Sequence, residues 1–141
     1  MIKKRIKVAV IDYLQLVNFY RKGVNKEQEI GDIARGLKNL AKELDITIIA
    51  LSQLSRNKDN PKPSMNRLRQ SGQIEEAADQ VILVYRPEYY EIDTIFYKGE
   101  LIGTFGKGFV YVAKGRSIGV TDFILDFDKE LTQWKNTAKQ Y

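Results

Sequence analysis

The stretch VAVIDYLQL, residues 8–16, decides how this chain is read. An apolar run from Val8 to Ile11 passes without a break into Asp12. Such a run suits a strand buried on both faces, as in a parallel sheet. A second run, IIALSQLSR at 48–56, meets its polar residue in Gln53. Between them Ile30, Ile33, Ala34, Leu37, Leu40, Ala41 and Leu44 fall on one helical face. Asn25, with Gln28 three residues on, forms a candidate capping box at the start of that helix. Strand, helix, strand in this order is a βαβ unit with a right-handed crossover. Open α/β sheets bind ligands beyond the carboxyl ends of their strands. Asp12 and Gln53 are therefore the first candidates for contact with a bound group.

Working outward, residues 1–7 are basic through Lys3, Lys4, Arg5 and Lys7, and 18–26 is a polar loop. Beyond the second strand, residues 54–72 carry Arg56, Lys58, Lys62, Arg67 and Arg69 against Asp59 alone. With Pro61 and Pro63 and few apolar side chains, this segment reads as a long, mobile, functional loop. A short helix at 73–78 leads to a third strand at 80–85. After Arg86-Pro87 the pattern turns to hairpins, one across Lys98-Gly99 and one across residues 114–119. The expected fold class is α/β with a mostly parallel sheet, flanking helices and β-hairpins towards the C-terminus. One domain is expected over residues 1–134, with a tail at 135–141.

Composition narrows the chemistry. The 141 residues hold 23 Lys and Arg against 18 Asp and Glu, a net charge of +5 that favours a polyanionic partner. Absence of cysteine excludes disulfides, thiolate metal sites and cysteine nucleophiles. Absence of histidine removes the commonest general base. Catalysis must then rest on carboxylates, Lys, Arg, Tyr or a metal held by oxygen. No run is long enough for a membrane span and no signal peptide is visible, so a cytoplasmic protein is expected.

Each candidate has an ordinary alternative. Asp12 fits a Walker B carboxylate that holds Mg²⁺ near the β- and γ-phosphates, but a strand-end Asp is more often a cap or turn residue. Gln53 fits an amide that bonds a γ-phosphate or orients water, against the ordinary alternative of a turn-forming polar residue at a strand end, and it opens directly into the basic segment. The basic segment lacks aromatics, so contact with a phosphate backbone is favoured over base stacking. Within it, Arg69-Gln70-Ser71-Gly72 pairs a cation with a glycine just before a helix. Lys114 and Arg116 sit at a hairpin tip, where Arg116 fits an arginine finger and exposed turn charge is the commoner case.

One motif is missing. A phosphate loop follows GxxxxGK[ST]. Gly31 and Gly36 have the glycine spacing, but Leu37 follows and both lie in the amphipathic stretch. Gly103, Gly106 and Gly108 surround Lys107 without the spacing or the hydroxyl residue.

Four blocks carry a resemblance: VIDYLQLV (10–17), LKNLAKELDITIIALSQLSR (37–56), LRQSGQIEEAADQVILVYRPEYY (68–90) and VAKGRSIG (112–119). In this order they resemble the C-terminal RecA-like motor domain of DnaB-family replicative DNA helicases, near-continuously from about residue 5 to residue 134. The resemblance implies a hexameric ring that uses ATP and Mg²⁺ to translocate on single-stranded DNA and separate duplexes. It matches Asp12 to the metal-holding Walker B position and Gln53 to the glutamine that senses the γ-phosphate. Arg69, Gln70 and Gly72 match the loop that grips DNA phosphates, to which Arg56, Lys58, Lys62 and Arg67 add charge. Lys114 and Arg116 match the basic pair that reaches a neighbour's ATP. The family carries Glu where this chain has Gln70, and residues 91–108 depart from its pattern as a lineage-specific hairpin.

The family's Walker A loop and catalytic glutamate fall upstream of residue 1, with the helical domain that recruits primase. A fragment that binds ATP weakly or not at all is the expectation, with ring formation, primase and a helicase loader belonging to the whole protein at the replication fork. Two alternatives stay open: a stand-alone single-stranded nucleic-acid-binding module, and a fragment that inserts into another helicase's ring. A recombination-type RecA-like ATPase leaves the LRQSG block unexplained.

Overall fold

The computed structural model describes residues 6–17, 23, 25–55, 57 and 60–138, with backbone alone for 69–71. The chain divides into two compact units, Met1–Ser55 with Met65–Ala78 and Arg56–Ser64 with Asp79–Tyr141.

In the first unit β1 (Val8–Ile11) pairs in parallel with β2 (Thr47–Ala50), with Val8 opposite Thr47 and Ile11 opposite Ala50. The crossover is α1 (Lys26–Leu44), which starts at the expected capping box. The Asn25 side chain accepts the Gln28 N–H at 2.9 Å, and the Gln28 side chain accepts the Asn25 N–H at 3.4 Å. Asp45 ends the helix at φ 51°, a left-handed position that Asp tolerates better than most residues. The apolar stripe of α1 is buried only in its first half: Ile30, Ile33 and Ala34 pack with Leu14 and Ile74, while Leu40 and Leu44 are exposed. The expected burial of β1 on both faces is not found. Val8 and Val10 are 51% and 64% exposed.

The stretch 54–72 is not loop throughout. Met65–Ser71 is a 3-10 helix anchored by buried Leu68, and it runs into α2 (Gly72–Ala77).

The second unit is antiparallel. Its main sheet has the order β3 (Gln80–Tyr85), β6 (Lys107–Gly115), β7 (Thr121–Asp128), β8 (Gln133–Asn136). A separate hairpin joins β4 (Thr94–Tyr97) to β5 (Glu100–Gly103) through Lys98 and Gly99, whose positive φ values match the twist of a tight hairpin. The expected hairpins are both present. The core of this unit is Tyr85, Tyr97, Ile102, Phe109 and Ile124. Phe109 has no exposed surface and meets Tyr97 edge to face at a centroid distance of 5.7 Å.

The expectation of a mostly parallel sheet is corrected. Among the described residues only β1 and β2 pair in parallel. Parallel neighbours need a crossover of a dozen or more residues, which α1 supplies once. Short turns join β4 to β5, β6 to β7 and β7 to β8, and such turns join antiparallel strands. The third strand pairs antiparallel with β6. Lys135 and Asn136, expected in a tail, belong to β8, which puts Trp134 against Phe127 at 5.1 Å.

Candidate functional site

Asp12 follows the last residue of β1 and is exposed. The chain then enters a 3-10 turn, Leu14–Leu16, which Leu14 anchors at 2% exposure. Two backbone bonds lace this turn to the exit of β2: Leu51 N–H to Ile11 O and Leu14 N–H to Leu51 O, each at 2.9 Å. The lacing continues through a side chain. Gln15 Nε2 donates to Ser52 Oγ at 3.0 Å and to Gln53 O at 3.1 Å. The Gln53 N–H returns to Gln15 Oε1 at 3.5 Å. Asp12 and Gln53 thus stand beyond the carboxyl ends of neighbouring parallel strands. Gln15 is not among the residues expected at the site, because in sequence it is only one polar residue between Leu14 and Leu16.

Among the described residues no three Asp, Glu, His or Cys side chains gather as a metal cage. One carboxylate at a strand end still suits Mg²⁺, which is commonly held by one or two carboxylates with water and phosphate oxygens.

The basic segment spreads over both units. Arg56 and Lys58 lie outside the described residues. Lys62, in the second unit, is exposed and places Nζ 5.4 Å from the ring centroid of Tyr111. Burial, with Tyr85 nearby, pushes the Tyr111 hydroxyl up to about 12, so the ring beneath Lys62 stays neutral. Arg67, in the first unit, donates Nε to Ser55 O at 3.1 Å and adds a second bond from the same guanidinium. Arg69 and Gln70 lie in the 3-10 helix with side chains outside the described set, and exposed Gly72 opens α2.

Lys114 and Arg116 belong to the second unit. Lys114 is near the end of β6, opposite Val81. Arg116 stands in the following turn, its N–H bonded to Asp79 O at 3.0 Å and its guanidinium 3.4 Å from the Asp79 carboxylate. With both side chains 54% exposed, that ion pair is a weak tether. The structure therefore brings Asp12, Gln53, Arg67 and the backbone of residues 69–72 into one unit, and Lys62, Lys114 and Arg116 into the other.

Comparison with known proteins gives a consistent picture. The family model described as DnaB-like helicase C terminal domain matches residues 1–136. The chain is 35% identical over 150 residues to the replicative DNA helicase DnaB of Rickettsia typhi, covering 98% of this chain and 30% of that protein. It is 38% identical over 138 residues to DnaB of Geobacillus stearothermophilus, covering 95% of this chain and 29% of the relative. The chain therefore spans about 30% of the length of the curated relatives it matches. Among solved structures, a DnaB-like replicative helicase studied with primase aligns at a TM-score of 0.79 and 35% identity, covering 92% of this chain and 31% of that one. A second solved structure, an ATPase domain, aligns at a TM-score of 0.78 and 35% identity, covering 92% of this chain and 44% of that one.

Proposed function

The chain belongs to the DnaB-like helicase C-terminal domain family, matched over residues 1–136, and from that membership we propose that it is part of an ATP-driven replicative DNA helicase. The whole protein would translocate on single-stranded DNA as a hexameric ring and unwind duplex during replication. Primase or a helicase loader are its proposed partners. One observation carries this reading: Asp12 and Gln53 follow neighbouring parallel strands, and Gln53 leads directly into the basic segment 54–72.

ATP and Mg²⁺ are the proposed cofactors of the whole protein. Asp12 would supply the carboxylate to the metal, which when bound neutralises charge on the β- and γ-phosphates. Gln53 would bond the γ-phosphate and pass its presence to the segment that follows. Arg56, Lys58, Lys62 and Arg69 would supply positive charge to a DNA backbone, with Gln70 and Gly72 presenting main chain. Arg116, with Lys114 beside it, would stabilise transition-state charge on a neighbouring subunit's nucleotide. The chain carries no GxxxxGK[ST] pattern, and such a loop is what cradles the phosphates. The 141-residue chain alone is accordingly proposed to be inactive as an ATPase.

The test is binding to fluorescent oligo-dT across a salt series. The expected log–log slope is roughly −0.7 per phosphate contacted. Changing Arg56, Lys58, Lys62 and Arg69 together to Ala should flatten it; an unchanged slope removes this segment as the DNA site. A second reading, a nucleic-acid-binding module without ATPase activity, rests on the same basic segment, 54–72. Co-purification with a homologous full-length helicase supports a ring component, whereas DNA binding by a chain that never enters such a ring supports the module.

A further inference from the structure

Two side chains tie the segment leaving β2 to its surroundings. Both ends of the Gln15 carboxamide are engaged by the backbone of Gln53, with Ser52 Oγ as a third partner. The 3-10 turn that carries Gln15 is held by buried Leu14 and by the Leu14 N–H bond to Leu51 O. Two residues beyond Gln53, the Ser55 carbonyl receives two donors from one guanidinium, Nε and an Nη of Arg67. Arg67 is part of the 3-10 helix Met65–Ser71, directly before Leu68, Arg69, Gln70 and Gly72. A flat guanidinium edge is the part of Arg best shaped to grip a phosphate bidentately. Here that Nε–Nη edge faces a carbonyl of its own chain.

We propose that Gln15 and Arg67 are positioning residues, which clamp residues 52–55 between the strand edge bearing Asp12 and the 3-10 helix that precedes α2. The proposal rests on the reading of residues 54–72 as the DNA-engaging segment. Arg67 leaves the set of phosphate contacts and becomes the link that passes a displacement of Gln53 to residues 65–72. Gln15 defines the resting place from which that displacement is measured. All the bonds involved lie within one compact unit.

The experiment uses the ¹⁵N-labelled chain as it is, with Gln15→Leu, Ser52→Ala and Arg67→Ala, and the pair Gln15→Leu with Arg67→Ala. Gln15→Leu should raise amide exchange at Gln53 about tenfold or more and shift amide resonances across 65–72. In the Arg67→Ala background the same change should still loosen Gln53 but no longer reach 65–72, the non-additivity expected of a shared network. Ser52→Ala removes only one bond of the set and should give a smaller shift with the same pattern, which keeps the test open if Gln15→Leu does not fold. Oligo-dT affinity should fall several-fold in Gln15→Leu and in Arg67→Ala with the salt slope unchanged. A direct phosphate contact by Arg67 would instead reduce the slope by about 0.7 on its loss, and that result overturns its role here. Silence at 65–72 in both Gln15→Leu and Ser52→Ala overturns the clamp. If the unaltered chain binds no oligo-dT, the DNA-binding reading fails while the amide measurements still decide the clamp.

Discussion

Gly31 of α1 lies against the side chain of Gln73 in α2, so closely that a Cβ at position 31 would overlap the Cβ, Cδ and Oε1 of Gln73. Gln73 Oε1 is also the acceptor for the Arg35 guanidinium at 2.8 Å, so moving aside would break that bond. The contact sets how near α1 and α2 approach at this point.

Gly31→Ala is expected to destabilise the chain by about 1–2 kcal/mol, overpacking exceeding the gain in helix propensity. Gly36, on the same helix, has no atom within 4 Å of a Cβ added there. Gly36→Ala should therefore stabilise by roughly 0.5–1 kcal/mol. Urea unfolding of the two variants tests the difference; equal shifts would show that the Gly31–Gln73 contact is not tight.

Gly108 of β6 makes a similar close approach, to the Trp134 ring of β8. Gly108→Ala is expected to expel the indole from its place beside Phe127. Trp134 is the only tryptophan of the chain, so its emission reports the change directly. A red shift is expected, with a loss of about 1–3 kcal/mol from overpacking. An unmoved emission maximum would mean that β8 accommodates the methyl group.

The Lys129 ammonium paired with Glu88, aided by the Gly106 N–H, holds the Glu88 carboxyl below its ordinary 4.5. A carboxyl lowered in the folded state contributes stability that is present above its unfolded value. That contribution is lost as pH falls through the lower folded value. Lys135 acts on Asp128 in the same direction. Thermal midpoints should therefore be flat from neutral pH to about 5 and fall below about 4.5, less steeply in Glu88→Gln. A Glu88→Gln curve parallel to that of the unaltered chain would remove this pair from the acid response.

Purified chain incubated with ATP, Mg²⁺ and oligo-dT should release no phosphate above a blank. DNA-stimulated turnover that Asp12→Ala abolishes would show that the phosphates are held in some other way. Asp12→Ala should leave oligo-dT affinity within about twofold, since the proposed phosphate contacts lie elsewhere.

Much of the fold was legible because it is local. The α1 cap rests on Asn25 and Gln28, three residues apart, and both bonds of the box form. The run Gln80–Tyr85 alternates buried and exposed as strand chemistry requires. Lys98-Gly99 turns the β4–β5 hairpin where tight-turn chemistry put it. The candidate edge was legible for a related reason, since Asp12 directly follows one apolar run and Ser52-Gln53 another.

What stayed hidden depends on partners distant in the chain. Apolar content in Val8–Ile11 speaks for burial, but the covering surface comes from elsewhere, and α1 packs its stripe on Leu14 and Ile74. Gln15 reads as one polar residue in an apolar turn until Ser52 and Gln53, almost forty positions away, meet its carboxamide. Arg67 counts as one more positive charge until Ser55 takes its guanidinium edge. Residue order was enough for the α1 capping box, the hairpin turns and family membership, because these arise from neighbours along the chain. The antiparallel pairing of β3 with β6 and the Gln15 and Arg67 clamps came from folding, because a hydrogen bond between remote segments leaves no periodic trace in the sequence.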